Sequence, residues 1–270
     1  MTPGLHALPL IRACEGLHLV VGGHPEGDPD LALASLVGEA ESAGVQVVVV
    51  TLRMGSHDDA EWIAAGLRWL HAHGRRPLLR TAVVLPRSLA ALAWETRATV
   101  VLELAHHRPE LQRALVGPEA DPAATLLLQA QHLAQLGVPT MVHLGPLLPT
   151  IHDQRQHLEP LLHHIRAAEL RDLHLSVGRL SPGREQALRA TLSEGAMHAL
   201  RRAYGGEDGA RERLSRLGHV ALIEGVRSVA HELGIRVDAC GCAAACHLDG
   251  GGRPAHVPVI EGELFSEAAG

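Results

Sequence analysis

A regular alternation between short β-rich apolar runs and longer helical stretches constrains the fold of this chain more than any other feature. The six runs fall at residues 17–21, 45–51, 78–85, 99–104, 138–144 and 170–177. Helical patterns occupy 30–43, 59–73, 122–136 and 154–168 between them. Asp30, Asp58 and Asp121 stand where N-caps belong, and Gly44, Gly74 and Gly137 where helices stop. Strand, helix and strand in steady order predict parallel βα units joined by right-handed crossovers. Six units are too few for a closed eight-stranded barrel, and the pattern alone leaves an open partial barrel and a doubly wound sheet both in play.

A chain of 270 residues is long enough for one large α/β domain. With only 2% aromatic residues, its core has to be packed from Leu, Val, Ile and Ala. The division expected is a barrel over 1–204, a helix and short strand packing on it over 205–239, and a flexible cysteine-containing tail over 240–270. Within the middle part the helix is expected near 210–233 and the strand near 235–238. A net charge of −6 argues against nucleic acid as a partner, although Arg201, Arg202 and the 211–216 stretch form local basic patches. No apolar run reaches the length of a membrane span, and the first residues lack the pattern of a secretory signal. A cytoplasmic protein with a small-molecule or protein partner is the expectation. Three of the four cysteines crowd into 240–246, which fits metal binding or redox chemistry better than a disulfide scaffold.

Between residues 100 and 177 the chain carries three segments of a recognisable kind. They run from Leu111 to Pro118 (LQRALVGP), Leu133 to Pro139 (LAQLGVP) and Pro146 to Asp153 (PLLPTIHD). This part resembles the second half of spore-photoproduct-lyase-like radical SAM proteins, with fainter echoes upstream at 51–61 and 79–92. The resemblance implies a (β/α)6 partial TIM barrel of the radical SAM type. It also implies a C-x-x-x-C-x-x-C loop after the first strand, holding a [4Fe–4S] cluster that cleaves S-adenosylmethionine. Here that loop reads GGHPEGDPD and has no cysteine, while Cys14 precedes the strand. The departure argues against bound S-adenosylmethionine.

Three constellations carry candidate chemistry. Cys240, Cys242, Cys246 and His247 have donor types and spacing suited to Zn²⁺ or an iron–sulfur cluster. Polar side chains inside apolar strands form the second: His18, Glu103, His143, His174 and Ser176, where strand alternation puts Glu103, His143 and His174 in one ligand pocket. The third is loop residues beyond the strands: His24 (with Glu26 and Asp28 nearby), His106, His107, His152 and Asp153. His163, His164, His71 and His73 fall in helices and are expected at the surface.

Three functional readings follow. The first is a pseudoenzyme that keeps the barrel, has lost the cluster and S-adenosylmethionine site, and serves as a binding or accessory protein. The second is an active radical SAM enzyme whose cluster is held by the C-terminal cysteines. The third is a metal-dependent hydrolase using the inward His and Glu residues, which lacks an H-x-H signature at the end of a first strand. The missing loop favours the first.

Overall fold

The computed structural model describes residues 6–13, 16–22, 29–42, 47–205 and 214–238. Eight strands form one sheet in chain order: β1 (His6–Ala13), β2 (Gly16–Gly22), β3 (Val47–Met54), β4 (Arg76–Thr81), β5 (Thr99–Leu104), β6 (Thr140–Leu147), β7 (Asp172–Val177) and β8 (Arg236–Asp238). β1 runs antiparallel to β2, and every later pair is parallel. The six expected strands are β2 to β7, and β8 is the short strand expected at 235–238. Consecutive order removes the doubly wound alternative, in which the order reverses at a switch point. β1 was not expected. It carries Pro9, its register slips between Leu8 and Ile11, and it begins the strand order, a setting in which a strand proline is tolerated.

The helices are α1 (Pro29–Ser42), α2 (Ala60–Ala72), α3 (Arg87–Glu95), α4 (Pro109–Val116), α5 (Ala123–Gln135), α6 (Arg155–Ala167), α7 (Pro182–Arg189), α8 (Glu194–Ala203) and α9 (Arg216–Glu232). Gly74 and Gly137 end α2 and α5 with φ of 65° and 76°, the left-handed conformation that favours glycine after a helix. The expected aspartate caps are displaced. Asp30 lies inside the first turn of α1. Ser56 precedes a 3₁₀ turn over His57–Asp59, and Asp59, not Asp58, precedes α2. Pro122 precedes α5, and the Asp121 carboxylate instead accepts the Val84 N–H at 2.7 Å.

Strand alternation separates two faces. Leu52, Leu79, Val100, Leu102, Val142, Leu144, Leu173 and Leu175 pack in one buried core with Ile63, Leu67, Leu126, Leu162 and Val226 from the helices. The residues between them, Arg53, Arg80, Glu103, His143 and His174, point to the opposite face. A smaller core joins Ala105, Leu148 and Leu180, each just past the carboxyl end of a strand, to Leu111 and Leu115 of α4, Leu188 of α7, and Met197 and Leu200 of α8. These three helices therefore sit beyond the strand ends. The Tyr204 hydroxyl ties α8 to this layer by donating to the Gly178 carbonyl at 2.9 Å.

Between β6 and β7 the backbones approach closely at Gly145. A Cβ there would lie 2.4 Å from Ser176 Oγ and 2.9 Å from the Ser176 carbonyl oxygen. A hydroxyl can rotate away, but a ladder carbonyl cannot. Gly145→Ala is expected to lower the unfolding free energy by about 2 kcal/mol, measurable by urea denaturation. Loss below about 0.5 kcal/mol would show that the two strands can separate without penalty.

Candidate functional site

Penultimate positions of three adjacent strands build the centre of the site: Arg53 in β3, Arg80 in β4 and Glu103 in β5. Register brings them together, since Arg53 stands opposite Arg80, and Glu103 opposite His143, which in turn stands opposite His174. Glu103 is only 4% exposed, so its charge has to be compensated inside the protein. Arg53 Nε donates to one carboxylate oxygen at 2.9 Å and Arg80 Nη2 to the other at 2.5 Å. Burial alone would raise the Glu103 pKa. The Arg80 and Arg53 charges outweigh it and hold the carboxyl at about 2, so it is ionised at neutral pH.

Arg80 Nη2 also lies 2.9 Å from His143 Nδ1. A guanidinium only donates, so Nδ1 accepts and the His143 proton sits on Nε2. Burial, followed by the Arg80 charge, holds His143 well below its ordinary pKa, so it is neutral. The His174 ring lies 5.3 Å from the His143 ring, centroid to centroid, tilted by 32°. The structure thus brings Glu103, His143 and His174 onto one face, with Ser176 two residues beyond His174 on the same strand. His18 lies in β2 opposite Val49. His24 and the set Cys240, Cys242, Cys246 and His247 lie outside the described residues.

Sequence reading missed the two arginines. Their signal was available: a single guanidinium inside the apolar runs TLRM and PLLRT, at the parity opposite the core leucines. Missed as well was Gln112, which stitches the end of β5. Its Oε1 accepts the Ala105 and His106 N–H groups at 2.8 and 3.1 Å, and its Nε2 donates to the Glu103 carbonyl at 3.0 Å. Arg53 Nη2 reaches the Val116 carbonyl at the end of α4, 3.4 Å away, which links the network to the helical layer beyond the strands.

The loop histidines form a separate cluster. His106 stacks on His107 at 4.4 Å and meets His152 and His157 edge-on at 6.4 and 6.0 Å. His152 spends both ring nitrogens on the backbone: Nδ1 accepts from Leu148 N at 2.9 Å and Nε2 donates to the Ala105 carbonyl at 2.8 Å. No nitrogen is left on it for a ligand. His106 Nδ1 accepts the Arg108 N–H at 3.0 Å, which puts the proton on Nε2 and removes the lone pair a metal would need. Asp153 is exposed. Among the described residues no three His, Cys, Asp or Glu side chains are placed to hold a metal ion. The donors at the strand ends (guanidinium, carboxylate, imidazole) do not fit an iron–sulfur cluster, which takes thiolates.

No described helix is long and apolar enough to cross a membrane. No protein-family model matches the sequence, and no curated protein does. Solved structures match the fold. SuiB of Streptococcus suis aligns with a TM-score of 0.52 at 12% identity, covering 88% of this chain and 47% of SuiB. SuiB bound to S-adenosylmethionine aligns at 0.51 and 12%, covering 82% and 46%. SuiB bound to the precursor peptide SuiA aligns at 0.52 and 13%, covering 89% and 48%. The chain spans about half the length of these SuiB chains. At such identity the likeness concerns the fold alone, which this chain shares with SuiB.

Proposed function

We propose that this chain is a degenerate relative of the spore-photoproduct-lyase-like radical SAM proteins that keeps a (β/α)6 partial barrel and acts as a binding or accessory protein. One observation carries the reading: the strand ends hold an ionised carboxylate clamped by two guanidiniums, a donor set for polar ligands and not for a cluster. The sequence agrees, because GGHPEGDPD offers no thiolate where the family places three. A bound S-adenosylmethionine and a reducing cluster would together supply radical chemistry. In this reading Arg53, Arg80 and Glu103 instead form a fixed polar floor, and His143 presents a neutral imidazole beside it. The ligand would be a small molecule entering at the carboxyl ends of the strands.

The test is anaerobic iron–sulfur reconstitution of the wild type and of Cys242→Ala, scoring 5′-deoxyadenosine. Neither protein is expected to form it. Product from the wild type that disappears in the variant would establish a cluster on the C-terminal cysteines and overturn the reading. Zinc lost in the variant, with no product from either protein, would make those cysteines a structural metal site and leave the binding role intact.

A further inference from the structure

We infer that the strand-end site takes a small molecule bearing a phosphate monoester, with Arg184 and Arg53 gripping the phosphate above the Arg80–Glu103 pair. The inference rests on the binding-protein reading and names the ligand class of the same site.

Charge supplies the first argument. Glu103 is the only carboxylate that pairs with Arg53 or Arg80 among the described residues, so this pair of guanidiniums is left with one uncompensated charge. Arg184 adds a third guanidinium. It is half-buried on α7, donates to the Arg179 carbonyl, and forms no ion pair among the described residues. Helix α7 packs on α4, whose last carbonyl Arg53 reaches, so Arg184 and Arg53 approach from the same layer. Burial chiefly lowers the Arg184 pKa, and the Arg53 charge acts in the same direction. Among the described residues, three guanidiniums against one carboxylate leave two positive charges, which matches a phosphate monoester of about −1.5 to −2 at neutral pH. A phosphodiester or a carboxylate would neutralise only one.

Geometry supplies the second argument. Glu103 holds Arg53 by Nε, which fixes the plane of the guanidinium, and Arg80 is fixed by Glu103 and His143 together. Arg80 Nε is shielded from solvent and has no hydrogen-bond partner, a donor left unsatisfied in an otherwise paired network. A pre-set guanidinium fork suits phosphate recognition, because little side-chain order is lost on binding.

The full chain should be titrated calorimetrically with inorganic phosphate, dimethyl phosphate and acetate at constant ionic strength. Phosphate is expected to bind, with the other two at least about tenfold weaker. Arg184→Gln is expected to weaken phosphate about tenfold, Arg184→Lys to restore part of that loss, and Arg166→Gln, on the exposed face of α6, to change nothing. Retained folding of the Gln variant is checked by its unfolding midpoint. Equal binding of dimethyl phosphate or acetate, or an unchanged phosphate affinity in folded Arg184→Gln, would overturn the assignment. The 5′-deoxyadenosine assay on the same preparation tests the underlying reading separately. Absence of both product and phosphate binding rejects the ligand class alone, whereas formation of product rejects the binding-protein reading.

Discussion

Glu103→Ala is expected to lower the unfolding free energy by about 3 kcal/mol, a large effect for one side chain. The substitution leaves the Arg80 and Arg53 guanidiniums facing each other on neighbouring strands with nothing between them, and breaking a buried pair from one side costs about 3–5 kcal/mol. The lower end applies because Arg53 is partly exposed and water recovers some of its solvation. Urea denaturation of Glu103→Ala, Arg80→Met and the double variant checks the mechanism as well as the size. The double variant should lose clearly less than the two single losses combined, by at least about 1 kcal/mol, because it removes the charge that each single variant strands. Strict additivity, or a single loss below about 1 kcal/mol, would mean that the carboxylate is not holding the guanidiniums.

The second large effect is a loss of stability in mild acid. Burial, with the neighbouring His107, His152, His157 and Arg108, lowers His106 to a pKa of about 3. His143 is held well below its ordinary value and His152 is lowered, both chiefly by burial. In the unfolded chain each has a pKa of about 6.5. Between that value and the folded pKa the unfolded state binds the extra proton, so stability falls as pH falls. At pH 5, His106 alone should contribute a loss of about 2 kcal/mol relative to neutral pH, with His143 and His152 adding in the same direction. Glu103 acts lower down. Its folded pKa of about 2 is depressed, so its contribution is whole above about 4.5 and is lost only as pH falls towards 2. Denaturation midpoints at pH 7 and pH 5 should therefore differ for the wild type and differ less for His106→Leu. An unfolding free energy that stays level between these pH values would contradict neutral buried imidazoles.

Much of the fold was legible because periodicity and burial agree. Six apolar runs became six consecutive parallel strands, and period-two alternation put Glu103, His143 and His174 on a common face. Helix starts were less legible. Aspartate is a good N-cap, yet Asp121 serves the Val84 N–H, and Asp59 accepts the Gly55 and Ser56 N–H groups at 2.8 and 2.9 Å. Which of two neighbouring aspartates takes such a role depends on the loop before it, and local sequence does not encode that loop. Arg53 and Arg80 were passed over for a different reason. A single arginine in an apolar run reads as an edge or a surface position until a buried carboxylate on β5 gives it a partner. Loop histidines were over-read: His152 looks like a ligand by composition, but its two nitrogens close backbone hydrogen bonds.

The consecutive order of the sheet also bears on how the molecule is made. From β2 onward every strand pairs with the strand synthesised just before it, so a nascent chain always meets a docking edge that already exists. The arginine pair is laid down before its counter-ion: Arg53 and Arg80 come into register when β4 docks, and Glu103 arrives one βα unit later. A nascent sheet halted between those two events holds two adjacent, uncompensated guanidiniums, and arrival of β5 converts that repulsion into attraction. The clamp on Glu103 therefore also favours pairing of the fifth strand with the fourth.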